Sequence, residues 1–297
     1  MKDRFTRVCS LLLFALSLSS CSGDRLMESR LSSDPSLQNR TASPVTSPLI
    51  NLSPRPIQSP VINTPAPEKI SLATQGYIDD LTSLGIIESG IDPNAPISRR
   101  EYLRWLVKAN NRLYSNQPSL QIRPAAQDSI PLFRDFPSND PDYPLIQGLA
   151  EAGIIPSALT RDNNALLLRP DTPLSRETMI LWKVPLDYRK PFPMASLETL
   201  KSSWGFSDVN LVDPRVWRPL YLDFQNGDAS NLRRAFGYTI LLQPKKIVSR
   251  SQAAATIWSF GFQDGISSAN DVLKRESLPS ASPSPINIPN VPKASPQ

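Results

Sequence analysis

Histidine is absent from this chain of 297 residues, and only two cysteines are present. Without histidine the chain lacks the commonest general base, the commonest zinc ligand and any Ser-His-Asp triad. Cys9 and Cys21 both lie near the start, so the rest of the chain contains neither a disulfide framework nor a thiolate metal cluster. These absences favour a protein that is not an enzyme and that has no cofactor and no metal.

Glycine is scarce, with 11 residues, whereas proline is abundant, with 31. Many of the prolines fall in two stretches without a helical or alternating pattern, 21–68 and 278–297. Such stretches bury too little apolar surface to offset the entropy of ordering. We therefore predict a disordered tether over 21–68, a disordered tail over 278–297 and one folded region over 69–277.

The formal net charge is +5, and no basic stripe with interleaved aromatic residues is present. A protein that binds nucleic acid needs a concentrated basic surface. The sequence accordingly predicts no nucleic-acid partner.

The N-terminus combines three basic side chains within residues 1–7 with an apolar run over 8–18. That run is too short for a permanent transmembrane helix and suits the hydrophobic region of a signal peptide. The stretch Leu18-Ser19-Ser20-Cys21 resembles a bacterial lipobox, in which an apolar residue and two small residues precede a cysteine. The alternative is an ordinary secretory signal with a chance cysteine.

The lipobox resemblance implies that the signal peptide 1–20 is removed and that Cys21 is acylated and begins the mature chain. Two or more acyl chains anchor a protein stably to a membrane. Ser22 stands where an aspartate would retain a lipoprotein in the inner membrane. The resemblance therefore implies a lipid anchor in the outer membrane, facing the periplasm, and under either interpretation the protein leaves the cytoplasm.

Three segments of the predicted folded region align without gaps: Ile91–Glu101, Leu168–Thr178 and Leu242–Gln252. Each has proline at its third position, an apolar residue at its seventh and then Ser-Arg. Serine is a good N-cap, so each segment predicts the start of a helix. The predicted caps are Ser98, Ser175 and Ser249.

Two further features refine these helices. Glu101 and Gln252 lie three residues after their caps and predict capping boxes. Pro185 predicts an early end to the second helix, because proline lacks the amide that an interior position donates.

A shorter helix is predicted ahead of each of the first two starts. It begins near Tyr77 in the first copy and near Tyr143 in the second, and both copies end in Gly-Ile-Ile. Gly85 and Gly153 suit the left-handed conformation that commonly ends a helix. The third copy, from Trp217, keeps a glycine and lacks the apolar pair.

This order of signals resembles the S-layer homology (SLH) domain. The shared elements are Phe-x-Asp-Val, an aromatic residue, a helix that ends in Gly-Ile, and a helix start with proline and Ser-Arg. FRDF at 133–136 and FSDV at 206–209 match the first element, which the first copy lacks. The three copies cover about 69–114, 131–190 and 204–263.

The resemblance implies an all-α fold of three degenerate helix-pair repeats around a pseudo-threefold axis. It also implies noncovalent binding of a peptidoglycan-linked polysaccharide in grooves between repeats. Five residues match the arginine and the aromatic positions of the motif, and we expect them to bind the glycan: Arg99, Arg176, Arg250, Tyr143 and Trp217.

The position of these three arginines, at the start of a predicted helix, is itself a reason to expect a binding role. A cation at the first helical position opposes the helix dipole, at a cost of about 0.3–1 kcal/mol. A guanidinium beside free helix-start amides forms a pocket for a carboxylate or phosphate. The alternatives are three solvated arginines and, for the aromatic residues, half-buried rings at the edge of the core.

Four aspartates also have two interpretations. Asp135 and Asp208 either brace a turn or face each other as the carboxylate pair of a glycoside hydrolase. Asp140 and Asp142 either form a turn or bind calcium. We favour the turn in both cases. Two tryptophans, each seven residues after a cap serine, are expected in the core: Trp105 and Trp182.

Together these features predict a lipid-anchored cell-envelope protein. The acyl chains on Cys21 would insert in a membrane, and the tether would span the distance between that membrane and the cell wall. The SLH repeats would bind the wall polysaccharide. The alternative is a degenerate SLH scaffold that binds another envelope protein through an exposed apolar patch. A third, less favoured interpretation is an enzyme that acts on wall glycan.

Overall fold

The computed structural model describes residues 71–162 and 165–278, all in the second of two compact units, 63–297. The predicted signal peptide, the acylated Cys21, the tether and, apart from Leu278, the tail lie outside the described residues. The described part is mostly helical. Its helices are α1 (Leu72–Ser83), α2 (Arg99–Leu113), α3 (Tyr143–Glu151), α4 (Arg176–Tyr188), α5 (Leu197–Ser203), α6 (Trp217–Gln225), α7 (Asn231–Phe236), α8 (Arg250–Ile257) and α9 (Ala269–Ser277).

Helices α2, α4 and α8 begin where the aligned segments predict. In each, the cap serine has an extended backbone, and its hydroxyl accepts a hydrogen bond from the third helical amide. The distances are 3.2 Å for Ser98, 3.4 Å for Ser175 and 3.3 Å for Ser249. Gln252 closes a capping box with the Ser249 amide, whereas Glu101 is directed elsewhere.

Helices α1 and α3 end at the predicted glycines. Gly85 has φ 68° and Gly153 has φ 70°, a region that L side chains enter only with strain. The amide of Ile86 donates to Leu81 O, and that of Ile154 donates to Leu149 O, both at 2.9 Å. These six-to-one bonds are the Schellman motif, which satisfies carbonyls at the end of a helix.

The segments just ahead of α2, α4 and α8 are hydrogen-bonded in a closed cycle. The amide of Ile97 donates to Val248 O at 3.1 Å, and that of Val248 to Leu174 O at 2.9 Å. The amide of Leu174 returns to Ile97 O at 2.9 Å. All three side chains are fully buried. Each residue in this ring therefore has a partner for both of its backbone polar groups.

Large aromatic residues contribute to the core. Tyr102 and Trp105 of α2 are fully buried, and Trp182 of α4 is almost so. The expectation that Trp105 and Trp182 are core residues is confirmed.

Helix α4 does not end at Pro185, so that prediction is wrong. The helix continues to Tyr188, with Pro185 inside it. Leu186 is fully buried, and Asp187 forms a buried ion pair with Lys183 one turn earlier. Burial and this pair offset the hydrogen bond that proline cannot donate.

Several elements have no counterpart in the repeated pattern. Helices α5, α7 and α9 are additional, as is a two-stranded antiparallel ribbon of β1 (Ser259–Phe260) and β2 (Ser267–Ser268). Helix α9 packs against α1, and α7 packs against α8. The described part therefore contains more than three helix pairs, and it is mostly rather than wholly helical.

Candidate functional site

The helix-start amides that were expected to bind an anion already donate hydrogen bonds within the protein. The first amide of each helix donates to a carbonyl of a neighbouring segment at 2.9–3.0 Å: Arg99 to Thr172, Arg176 to Lys246 and Arg250 to Ala95. The second amide of each helix donates to a proline carbonyl at 2.8–3.0 Å. The prediction of free amides is therefore wrong, because the neighbouring loops occupy them.

Arg99 and Arg176 make equivalent contacts with two of these loops. Nη1 of Arg99 donates to Leu168 O at 2.8 Å, and Nη1 of Arg176 donates to Leu242 O at 2.9 Å. Arg176 is buried and Arg99 is half-buried, and burial lowers the pKa of Arg99, as does the nearby charge of Arg169. Both guanidinium groups hold a loop in place, so neither is merely a solvated cation.

Asp135 holds the first of these loops through two backbone amides. Its carboxylate accepts from Leu168 N at 2.8 Å and from Arg169 N at 2.7 Å. Asp208 makes the same two bonds in the third copy, at 2.9 and 2.6 Å. Arg169 and its counterpart Gln243 have φ of 54° and 52°. The Phe-x-Asp carboxylates therefore brace turns, as we favoured.

Arg250 differs from the other two motif arginines. Its Nε and Nη2 donate to the carboxylate of Glu101 at 2.7 and 3.2 Å. The pair is partly shielded, with 29% and 18% of the two side chains exposed. The predicted capping box of Glu101 is absent because its carboxylate faces Arg250 rather than the amide of Ser98.

The two predicted aromatic ligands lie in unlike surroundings. Tyr143 is fully buried, its hydroxyl donates to Ser129 O at 2.7 Å, and its ring stacks on Phe136. A buried ring cannot stack on a sugar, so the prediction for Tyr143 is wrong. Trp217 is half-buried at the start of α6, and its indole N–H is buried without a hydrogen-bond partner.

Asp140 and Asp142 bind arginines of α2. Nη1 of Arg100 lies 2.6 Å from Asp140, and Nε of Arg104 lies 3.0 Å from Asp142. The hydrogen bond that Arg100 donates to Asp140 raises the pKa of Arg100 above its usual value. Among the described residues, no group of three or more His, Cys, Asp or Glu side chains is arranged to hold a metal ion.

One pocket brings a motif arginine together with aromatic side chains. It measures about 210 Å³ and lies between the start of α4, the helices α5 to α7 and the segment 237–242. Trp204 stacks on Phe206 with ring centroids 5.0 Å apart, and Arg176 lies 4.0 Å from the centre of the Phe236 ring. Of the five predicted ligands, only Arg176 lines this pocket.

Arg233 is the second charged residue of the pocket, and the repeated motif does not include it. Its guanidinium lies 5.4–5.8 Å from the rings of Trp204, Phe224 and Tyr238. Its Nε is buried and has no hydrogen-bond partner, and its Nη1 lies 3.6 Å from the exposed Asp228. Neither Arg233 nor Trp204 recurs among the three copies, so the repeated pattern does not mark them as site residues.

Comparison with models of known protein families gives no match, and a search of curated proteins gives none either. None of the helices in 71–162 and 165–278 is both long enough and apolar enough to cross a membrane.

Proposed function

We propose that this protein is a lipid-anchored component of the cell envelope that binds a peptidoglycan-linked polysaccharide noncovalently through degenerate SLH repeats. The acylated Cys21 anchors it in the outer membrane, facing the periplasm, and residues 21–68 are the tether. The proposal requires no reaction and no cofactor.

The closed ring of Ile97, Leu174 and Val248 supports the SLH arrangement. Three aligned segments donate to one another in cyclic order, as a pseudo-threefold axis requires. Each segment leads into a helix that begins with Ser-Arg. We therefore propose that α1 with α2, α3 with α4, and α6 with α8 are the three helix pairs.

The pocket around Arg176 and Arg233 is the observation that carries the binding proposal. The half-buried Trp204 and the exposed Tyr238 offer aromatic surface to a sugar ring. The guanidinium of Arg233 offers charge-assisted hydrogen bonds to an acidic substituent, and the buried Arg176 adds positive charge. A volume near 210 Å³ is below the roughly 300–1,000 Å³ of sites for drug-sized ligands, so it fits one ring of a longer polymer. Trp217, Arg99 and Arg250 lie outside this pocket.

Cosedimentation with purified sacculi tests the proposal. The chain from residue 21, with Cys21→Ser to omit the lipid, is mixed with sacculi before and after the wall polysaccharide is stripped. We expect binding that stripping abolishes. Arg233→Ala should weaken binding by about tenfold or more, the effect of losing one hydrogen bond from a charged group.

The control is Arg218→Ala, which removes an exposed arginine of α6 outside the pocket. It should bind as the unaltered chain does. Equal binding to stripped and intact sacculi, or no binding to either, contradicts the glycan proposal.

An exposed apolar patch favours the second candidate function, binding of another envelope protein. Tyr238 and Ile240 are 84% and 76% exposed, and Leu241 and Ile247 are also exposed. Tyr238 and Ile240 also line the pocket, whereas Leu241 does not. If this patch is the binding surface, Leu241→Ser should abolish capture of a crosslinked partner in the envelope while leaving binding to sacculi unchanged.

An enzyme that acts on wall glycan is the least supported candidate. Both carboxylates considered for it, Asp135 and Asp208, are already engaged by backbone amides. Release of soluble glycan from sacculi by the chain, lost in Asp135→Asn or Asp208→Asn, would support this candidate instead.

A further inference from the structure

A cluster of charged and amide side chains is buried where α4, α6 and α7 meet. Lys183 is fully buried, Asp187 is 7% exposed, Asp223 is 2% exposed and Asn231 is 1% exposed. Lys183 is an unusual core residue, because moving an ammonium ion out of water is costly unless it is paired. The glycan-binding proposal makes no use of this cluster.

Asp187 joins a lysine to an asparagine. Its Oδ1 pairs with Nζ of Lys183, and its Oδ2 accepts from Nδ2 of Asn231 at 2.8 Å. The amide of Gly261 also donates to Oδ1, at 3.1 Å. One carboxylate therefore contacts both the amine and the side-chain amide, which is the position of a group that relays a proton between them.

The side-chain amide of Asn231 is polarised from both ends. Its Nδ2 donates to Asp223 Oδ1 as well as to Asp187, both at 2.8 Å. Its Oδ1 accepts from Nη2 of Arg234 at 2.9 Å. A guanidinium at a carbonyl oxygen stabilises the negative charge that forms there when a nucleophile attacks the carbonyl carbon.

The surroundings of Lys183 increase the fraction of its neutral, nucleophilic form. Burial lowers its pKa to about 8, and the Arg234 charge acts in the same direction, whereas Asp187 and Asp223 oppose the shift. The face of the Phe260 ring lies 3.9 Å from Nζ, where it stabilises the ammonium form but also excludes water from the amine. With a pKa near 8, roughly a tenth of the amine is neutral at pH 7.

We propose that Lys183 and Asn231 form an intramolecular isopeptide bond, with Asp187 as the proton relay and Arg234 as the oxyanion donor. The linkage would join α4 to the start of α7 covalently. This is a modification of the folded core, and it is independent of glycan binding.

The reaction is a redox-neutral transfer of an acyl group from nitrogen to nitrogen. Neutral Nζ attacks Cγ of Asn231, and a C–N bond forms as the carbonyl oxygen becomes an oxyanion beside Arg234. Asp187 takes a proton from Nζ and delivers it to Nδ2. The Cγ–Nδ2 bond then breaks, ammonia leaves and a secondary amide remains, so the chain loses about 17 Da.

Peptide mapping of the full chain, purified from the cells that make it, tests the proposal. Trypsin cuts an unmodified chain after Lys183, and Asn231 then lies in the peptide 216–233, because Pro219 blocks cleavage after Arg218. We expect instead a branched species that contains 177–189 joined to 216–233. Its mass should be about 17 Da below the sum of the two peptides.

Variants identify the atoms involved. Asn231→Ala and Lys183→Met remove one reacting group each and should abolish the branched species. Asp187→Asn keeps the shape of the relay and should abolish or greatly slow its formation. The control Asn226→Ala alters another buried asparagine, which bonds to Gly261 and Gln263. It should leave the linkage intact.

The pH dependence provides a second readout. In chain refolded from inclusion bodies, in which the linkage has not yet formed, the branched species should accumulate faster as pH rises from 6.5 to 8.5, because the neutral fraction of Lys183 grows through its pKa. Full recovery of free 184–189 and linear 216–233 from both native and refolded chain, at every pH, would overturn the proposal and leave a noncovalent buried ion pair. Glycan binding, measured separately on the same samples, would be unaffected by that result.

Discussion

One carboxylate holds each of two loops. Asp135 holds the loop at 168–169, and Asp208 holds the loop at 242–243. Arg169 adopts a left-handed conformation, which costs a residue with a side chain on the order of 1–2 kcal/mol. Asp135 offsets that cost with two hydrogen bonds to adjacent amides, each worth roughly 1.5–3 kcal/mol because the acceptor is charged. The loop in turn supplies the carbonyl that Arg99 contacts.

Asp135→Asn should therefore destabilise the protein although it changes the side chain little. The substitution places an NH₂ group where one of the two amides now finds an acceptor. We expect the free energy of unfolding to fall by about 1–3 kcal/mol, measured by urea denaturation followed by circular dichroism.

Asp128→Asn is the matched control, because Asp128 is exposed. It should change the free energy of unfolding by less than about 0.5 kcal/mol. Equal effects of the two substitutions would show that the Asp135 bonds do not stabilise the fold.

Helix α3 lies unusually close to the segment 123–125, which precedes it in the chain. A Cβ built on Gly148 would lie 2.3 Å from the carbonyl oxygen of Arg123 and 3.2 Å from the amide nitrogen of Ala125. The same amide donates to Pro144 O at 2.8 Å. Glycine is required at 148 because backbone occupies the space of any side chain.

Two alanine substitutions in helices should therefore change the free energy of unfolding in opposite directions. Gly148→Ala forces α3 away from 123–125 and should lower the free energy of unfolding by about 1–3 kcal/mol. Gly76→Ala, in α1, meets no atom within 4 Å and should raise it by about 0.5–1 kcal/mol. Thermal unfolding of the two variants beside the unaltered chain checks both signs, and a loss of stability in Gly76→Ala would contradict this account.

The helices show what local sequence can and cannot predict. The starts of α2, α4 and α8 follow from serine caps, because a cap acts within three residues. Ser230 also caps α7, but that helix has six residues and no repeated partner, so its cap was not distinguishable from a loop serine. Pro185 was misleading because the burial of α4, a tertiary effect, decides where that helix ends.

The candidate site was less predictable than the fold. Arg176 was identified from the motif, whereas Arg233 contacts the pocket from α7 and shares no spacing with the repeats. Tyr143 matched the motif by position, but an aromatic residue at a helix start gives no sign of whether its ring faces water or core. Burial depends on the segments packed around it, which a single sequence does not specify.

The ring of Ile97, Leu174 and Val248 makes the three aligned segments depend on one another. Removing the third segment leaves the amide of Ile97 and the carbonyl of Leu174 without their partners. It also removes α8, against which α1, α2 and α4 pack. We therefore expect the described part to unfold cooperatively as one unit, with no helix pair stable by itself.

A chain that ends at residue 203 should accordingly fail to fold. We expect little helical signal by circular dichroism and no cooperative thermal transition. A chain that ends at residue 278 keeps every described element and should unfold in one transition like the full chain. A cooperative transition in the shorter chain would show that the first two helix pairs fold without the third.

The contact between the first helix and the last of the three Ser-Arg helices has a mechanical consequence. The ring of Tyr77 lies 4.9 Å from that of Trp258, whose indole donates to Asp80 at 2.8 Å, so α1 is attached to residues directly after α8. A pulling force applied at residue 71 is thus transmitted at once to the far end of the folded sequence. We expect the contacts between α1 and the residues after α8 to break together under such a load, rather than one helix detaching at a time.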